Sequence, residues 1–464
     1  MKISLMVQIS KLMLMNKISN KIIRIYEKFF ISIGSTSIFI AQSKRFIIEV
    51  KPSNGECDVD APRLLALSPF RFRGDLEALA DSKKFQVFKV SDKWQKKMAA
   101  LFYPKGFKLG FNYYDSNPDT QIKKIQDSTR KFFLKFLKDL YAKFDIDCVI
   151  GACVWYPQDY EWGYVSRMIN TPYVVLHREN LITGDGHYEQ RVLQLKRYGI
   201  FSGNHIIVHN ERSKKAFVES GYVTSEKIDA LGCVRMDEFI KSINAQVSIG
   251  ASVNMQNSKK VTFFSFQRGV GLRGVTEVWP QNHEEGYTDL FAKTHVAFAQ
   301  LALDNPDIEF VIKAKWGGGW LLEIEKVLLD AGIKYKELNN LIITGDGNAQ
   351  DLIFNSDVIV CFGSTTLLEA GVANKFVVIP YFDEALDSKH SRFVHFKKEF
   401  SLFKVANNIQ EFKDQILEGL ENPYIDSKIM DARYKAFEEH VSFMDCSATE
   451  KYSKSLKKII KTSS

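Results

Sequence analysis

Asn339–Ala385 reads NNLIITGDGNAQDLIFNSDVIVCFGSTTLLEAGVANKFVVIPYFDEA, and the rest of the chain can be ordered around it. Leu341–Thr344 is a short apolar run closed by Gly345-Asp-Gly, the pattern of a buried strand and a turn. Asn348–Asn355 has the length of a short helix. Asp357–Phe362 is a second buried strand, Gly363-Ser-Thr-Thr leads into a helical pattern from Leu367 to Val372, and Phe376–Pro380 is a third strand. Strand–helix–strand–helix–strand predicts right-handed crossovers in a parallel sheet.

The turn at Gly363–Thr366 has a chemical use. A helix that starts just past a strand's carboxyl end aims unpaired N–H groups and a partial positive charge at the crevice. Gly363 permits close backbone approach, and Ser364, Thr365 and Thr366 offer hydroxyl donors to phosphate oxygens. Glu369, one turn further, can accept hydrogen bonds from ribose hydroxyls. The plainer alternative is that Ser364 or Thr365 caps the helix and Glu369 is a first-turn carboxylate.

The chain has 464 residues, room for two cores, with 45% hydrophobic and 25% charged residues and a formal charge of +8. The charge mildly favours anionic partners, but no nucleic-acid-binding motif appears. Six cysteines (57, 148, 153, 233, 361 and 446) are scattered with no C-x-x-C, which suits reduced thiols rather than a disulfide framework or zinc site. The Asp-x-Asp pairs at 58–60 and 145–147 do not follow strands, so no metal is expected.

Residues 1–33 carry Lys2, Lys11, Lys17, Lys21, Arg24 and Lys28 against Glu27. Ile18, Ile22, Ile25 and Phe29 share one helical face, a basic amphipathic pattern that suits an anionic membrane surface or docking on the protein's own body. No apolar run reaches the ~18–20 residues of a membrane span, and no signal peptide is expected. Arg63–Leu67 and Phe85–Val90 read as strands, Asp75–Ala80 as a helix, and Arg71 and Arg73 lie in the loop between the first strand and that helix. Thr120–Phe144 carries apolar residues at helical spacing.

Asp147–Ala152 is a further strand, followed by the aromatic loop Trp155–Trp162, which can stack on a sugar or pack against a helix. Pro172–Leu176 ends in His177-Arg-Glu-Asn180, followed by the turn at 184–186. Ionisable groups there sit where open α/β sheets place ligands, so a general base can come from this stretch. Glu179 is the first candidate, followed by Asp185 and His177. Ile206–Val208, Glu211–Ser220 and Ile228–Cys233 complete a first domain, and the polar stretch 242–257 reads as a linker.

Val261–Phe266 opens a second domain and leads into Gln267-Arg-Gly-Val-Gly-Leu-Arg-Gly274. It is neither a Walker A motif nor a convincing dinucleotide fingerprint, so no cofactor is expected. Arg268 and Arg273 can reach phosphates. Ile308–Ala314 precedes Lys315-Trp-Gly-Gly-Gly-Trp320, with Lys313 and Lys315 also placed to pair with a phosphate. Gln267 joins these as a candidate donor-binding residue. Ile409–Leu420 reads as a helix, and a basic, helix-like tail follows from about Tyr424.

Asp357–Phe362, the Ser/Thr-rich turn, Glu369 and Lys375–Pro380 together resemble the C-terminal half of GT-B glycosyltransferases, in particular those of bacterial capsule and lipopolysaccharide synthesis and the related polyol-phosphate transferases. Phe376 stands where that family usually has proline, and Lys315–Trp316 where CMP-sugar and polyol-phosphate transferases often have His-Pro. The resemblance implies two Rossmann-like doubly wound parallel-sheet domains facing a cleft. It divides the chain into a basic segment 1–60, an acceptor domain 61–242, a donor domain 258–425 and a helical tail 426–464 that crosses back to the first domain. It further implies a metal-independent enzyme of the cytoplasm or the inner membrane face. Such an enzyme would move a sugar from a CMP-linked acidic donor such as Kdo, or a UDP-sugar, to a glycan or lipid-linked glycan acceptor. Nucleotide-sugar 2-epimerases share the architecture, and a non-catalytic nucleotide-sugar-binding module is the third alternative.

Overall fold

The computed structural model describes residues 27, 30–31, 34–104, 106–115, 117–248, 259–272 and 286–463. Two sheets carry the described strands. The first holds β1 (Ile47–Val50), β2 (Arg63–Ala66), β3 (Gln86–Val90), β4 (Cys148–Gly151), β5 (Tyr173–Leu176), β6 (His205–Val208) and β7 (Ile228–Ala230), in the order β1-β3-β2-β4-β5-β6-β7. The second holds β8 (Lys260–Phe264), β9 (Glu309–Lys313), β10 (Leu341–Thr344), β11 (Val358–Cys361), β12 (Phe376–Pro380) and β13 (Lys404–Ala406), in the order β10-β9-β8-β11-β12-β13. Every pairing is parallel except β1 with β3.

These orders locate the ligand crevice. Strands are added outward in one direction and then in the other, so each sheet has a switch point where the connections diverge: between β2 and β4 in the first, and between β8 and β11 in the second. Loops leaving the carboxyl ends of those strands part there and open a crevice.

Alternation along the strands explains why the first sheet is covered on both faces. Leu65, Val149, Val175 and Ile206 face one core, with Phe133, Phe136, Trp162 and Phe217. Leu64, Ala66, Ile150, Val174 and Ile207 face the other, with Phe72 and Leu79. The helix Thr120–Phe144 supplies much of the first cover, its N-terminus capped by Asp119, whose Oδ1 accepts from Ile122 N at 2.8 Å. Tyr452 and Leu456, on the terminal helix Ala448–Ser463, are buried in the second core, and Tyr452 donates to the Gly232 carbonyl at 3.0 Å. The tail thus returns to the first domain.

Several elements differ from the sequence expectation. β1 lies within 1–60, yet it belongs to the first sheet as its antiparallel edge. The stretch Trp155–Trp162 is not a loop: Pro157, tolerated in a first helical turn, opens the helix Pro157–Met168, and Trp162 is fully buried against Trp94, Phe133 and Phe136. Internal packing therefore explains that tryptophan. The helix Met236–Ser248 occupies the start of the expected linker, and its Phe239, Ile240 and Ile243 pack into the second-domain core. Residues 1–26 lie outside the described residues. Positions 28–29 and 32–33 lie outside them too, whereas Glu27 is buried and pairs with Lys97 at 2.7 Å, and Phe30 and Ile31 pack on the first core. No helix among the described residues is long and apolar enough to cross a membrane.

The loop leaving β2 is anchored by a buried carboxylate. Asp159 Oδ1 accepts from Ser68 Oγ at 2.7 Å and Gln95 Nε2 at 2.6 Å, while Oδ2 is buried without a partner. Burial outweighs these hydrogen bonds and pushes the acid up to about 7. A carboxyl group whose folded pKa is raised contributes stability at low pH and loses it as pH rises through the folded value. The loss begins above the unfolded value of 3.8 and is complete above about 7, so Asp159→Asn should raise the Tm by a few degrees more at about pH 8 than at about pH 5. Thermal denaturation of the two proteins at both pH values checks this.

Candidate functional site

The loops leaving the two switch points line one cleft between the domains, with a volume of about 1780 Å³. On the second-domain wall, Gly363 follows β11 with φ +67°, and a Cβ there would stand 2.8 Å from Val270 Cγ2, so both conformation and space require glycine. Ser364 Oγ lies 3.0 Å from Thr366 Oγ1 and accepts weakly from Thr366 N at 3.3 Å. Thr365, the residue before the helix Thr366–Val372, makes no side-chain cap. Its hydroxyl donates instead to Glu369 Oε1 at 3.0 Å, and Glu369 is buried. The turn therefore spends its hydroxyls on one another and on Glu369, next to the cleft, rather than on simple capping.

Gly363, Ser364, Thr365, Thr366, Glu369, Gln267, Lys313 and Lys315 all line the cleft. Lys313 is held there by the carbonyls of Ala314 and Gly345, to which Nζ donates at 2.7 and 2.8 Å. Burial lowers its pKa. Lys315 remains open to solvent, but confinement between the walls, more than the nearby Arg73, Arg178 and Arg235, pushes its ammonium down to about 8. Arg268 does not line the cleft: its guanidinium pairs with Glu323 at 2.9 Å and so turns away from the donor position expected of it. Arg273 lies outside the described residues.

On the first-domain wall, Glu179 lines the cleft. Tyr156 Oη donates to its Oε1 at 3.2 Å, and Arg191 Nη1 to its carbonyl at 2.8 Å. The other two candidate bases are elsewhere. His177 is fully buried between Trp155 and Phe217, with ring centroids at 4.7 and 5.0 Å, and neither ring nitrogen has a partner. Burial holds it neutral and out of reach of a substrate. Asp185 is exposed outside the cleft and pairs with Arg212 at 3.0 Å and Lys398 at 3.4 Å. Those hydrogen bonds, Arg212 first, hold its carboxyl below the usual range and make it a weak base.

Around Glu179 stands a set of cations. Arg178 donates to Asp75 and to the Phe72 carbonyl, and Arg235 reaches the other Asp75 oxygen at 3.5 Å. Burial would lower Arg235, but Cys233, Asp75 and Glu369 carry it above its ordinary value. Arg73 spans the domains, its guanidinium 4.2 Å from the Trp316 ring centroid, and burial lowers its pKa, with Arg178 adding to the effect. Arg191 lies 4.5 Å from the Trp155 ring. Arg191, Arg235 and Asp75, which anchors Arg178 and Arg235, were not singled out in the sequence as site residues. The available signal was positional, since Arg73, Arg178, Arg235 and Lys315 each follow the carboxyl end of a strand. The cleft lining as a whole is nearly balanced, with eight Lys/Arg and seven Asp/Glu. Around Glu179, however, Arg73, Arg178, Arg191, Arg235 and Lys315 outnumber Glu179, Asp75 and Glu369, which suits a phosphate-bearing ligand. Among the described residues no group of three or more His, Cys, Asp or Glu is placed to hold a metal ion.

No protein-family model matches the chain, and no curated protein does. Among solved structures, a candidate UDP-N-acetylglucosamine 2-epimerase from Listeria monocytogenes is similar with a TM-score of 0.50 and 11% identity, covering 87% of this chain and 97% of that one. UDP-GlcNAc 2-epimerase from Neisseria meningitidis, bound to UDP-GlcNAc, gives 0.48 and 13% over 85% of this chain and 100% of that one. The trehalose 6-phosphate synthase from Burkholderia multivorans gives 0.44 and 10% over 87% and 98%. At such identities the likeness speaks to the fold alone. Together with the two parallel sheets and the cleft between them, it shows that this chain has the GT-B fold.

Proposed function

We propose that the protein is a glycosyltransferase that uses a nucleotide-sugar donor without a metal ion. The observation that carries this reading is the size and polarity of the cleft. Ligand sites for single small molecules occupy about 300–1,000 Å³. A cleft of about 1780 Å³, with both cations and carboxylates on its walls, has room for a donor and a separate acceptor. That extra room favours transfer over 2-epimerisation, which needs one sugar substrate.

In this reading the nucleotide lies on the second domain, over Gly363–Thr366, with Glu369 accepting from the ribose hydroxyls. Arg73, Arg235 and Lys315 meet the phosphate charge. In an inverting transfer, Glu179 takes the proton of the acceptor hydroxyl as its oxygen bonds to the sugar's anomeric carbon. The bond from that carbon to the phosphate oxygen breaks, and the cations receive the negative charge that develops on the leaving phosphate. Tyr156 and Arg191 hold Glu179 in place. The acceptor of this reading is a bacterial surface glycan, free or lipid-linked, and the lysines of residues 1–33 would favour an anionic membrane surface. CMP-linked acidic sugars and UDP-sugars are the donors to try.

Glu369→Ala should weaken donor binding by about 1–3 kcal/mol, the size of a lost charge-assisted hydrogen bond. Calorimetric titration of the folded variant checks it, and unchanged affinity would remove the nucleotide from this turn. Glu179→Gln keeps the shape and removes the base, so turnover should fall by about 10²-fold or more with donor affinity spared. Acceptor-dependent release of the nucleotide is the readout. Interconversion of the free donor with no acceptor requirement would instead establish the epimerase.

A further inference from the structure

The two domains also touch through a pair of histidines. The rings of His187, on the first-domain helix Asp185–Arg197, and His395, in the second domain after the short helix Ser388–Ser391, stack with centroids 4.1 Å apart and planes at 14°. Both are buried at the cleft wall. His187 Nε2 lies 3.0 Å from the carbonyl of Gly271 in the second domain. A carbonyl only accepts, so this nitrogen carries the proton and Nδ1 is bare; Nδ1 is buried with no partner. Thr183 Oγ1, in the first domain, accepts from Phe396 N at 3.1 Å and lies 3.0 Å from His395 Nδ1, to which its hydroxyl proton can be donated.

Close approach of the backbones is built in. Gly271 has φ +75°, and a Cβ there would meet the Phe393 carbonyl oxygen at 2.3 Å; one on Gly184 would meet the Arg392 carbonyl oxygen at 2.8 Å. The contact thus brings the segments 183–187, 269–272 and 392–396 to close backbone approach.

We propose that His187 and His395 form an interdomain clasp that holds the two cleft walls together while both rings are neutral and releases them on acidification. Protonating His187 at Nδ1 would bury an N–H with no acceptor and place a cation against a second imidazole 4.1 Å away. The surrounding field opposes a charge as well. Arg191 and Arg212 stand near His187, Lys315 stands near His395, and Arg392 lies on the rim. The nearby carboxylates are already engaged, Glu189 with Arg392 at 2.6 Å and Asp185 with Arg212 and Lys398. Burial, the larger cause, lowers His187 to about 4 and holds His395 well below its ordinary value. An imidazole depressed in the closed form stabilises that form above the ordinary pKa of about 6.5. The contribution is lost as pH falls from there toward about 4.

This inference does not rest on the proposed transfer reaction, and its test needs no substrate. Small-angle scattering of the full chain should show a radius of gyration near ~23 Å for a compact chain of this length at about pH 7.5. At about pH 5 it should rise by about 1 Å or more, with the far-UV circular dichroism unchanged. The double variant His187→Gln/His395→Gln cannot titrate at these positions, and its radius should be the same at both pH values. Should that variant fail to fold by circular dichroism at neutral pH, His187→Phe/His395→Phe, which keeps the stack, is held to the same criterion. The clasp is overturned if the wild type does not expand, if it expands only with loss of secondary structure, or if the folded variant expands as the wild type does.

Discussion

Cations gather at the strand-end part of this cleft because parallel strands all point their carboxyl ends the same way. Arg73, Arg235 and Lys315 follow the ends of three different strands and line one cavity, and Arg178 stands just behind them on Asp75. Without compensation, their repulsion and desolvation would drive the walls apart. Asp75, itself buried, answers Arg178 and Arg235 together, and Glu369 adds to the stabilisation of Arg235. Removing one partner of such a set leaves an uncompensated buried charge, which typically costs about 3–5 kcal/mol. A phosphate-bearing ligand would complete the neutralisation that the protein leaves partial.

The second domain was legible because its strands are continuous apolar runs bounded by turn residues. β10 and β12 match the expected Leu341–Thr344 and Phe376–Pro380, and the helix between β10 and β11 begins just after Asn348, whose side chain caps it. Gly363 could be singled out since it combines a strand end with a turn. The first domain was less legible where aromatic residues mislead. Trp155–Trp162 has the composition of a stacking loop, but a proline at the first helical turn and partners distant in sequence make its second half a core helix.

Residue types at strand ends could be read as candidates, while their directions could not. Glu179 and His177 are two positions apart, yet one lines the cleft and the other is sealed between aromatic rings. Asp185 and Arg268 were lost to ion pairs with residues remote in sequence, Lys398 and Glu323 among them. The Asp185–Lys398 pair depends on how the domains face each other and the Arg268–Glu323 pair on packing within the second domain, tertiary facts with no local signature. The His187–His395 contact belongs to the same class, since each ring alone is an ordinary buried histidine.

The central claim is that one nucleotide sugar bridges both walls of this cleft, and hydrogen exchange of the full chain with and without saturating UDP- and CMP-linked sugars tests it most directly. The account predicts that a ligand of this panel slows exchange in residues 363–369 and 265–272 of one domain and in 178–191 of the other. Protection confined to other segments, or no protection by any member of the panel, would contradict it.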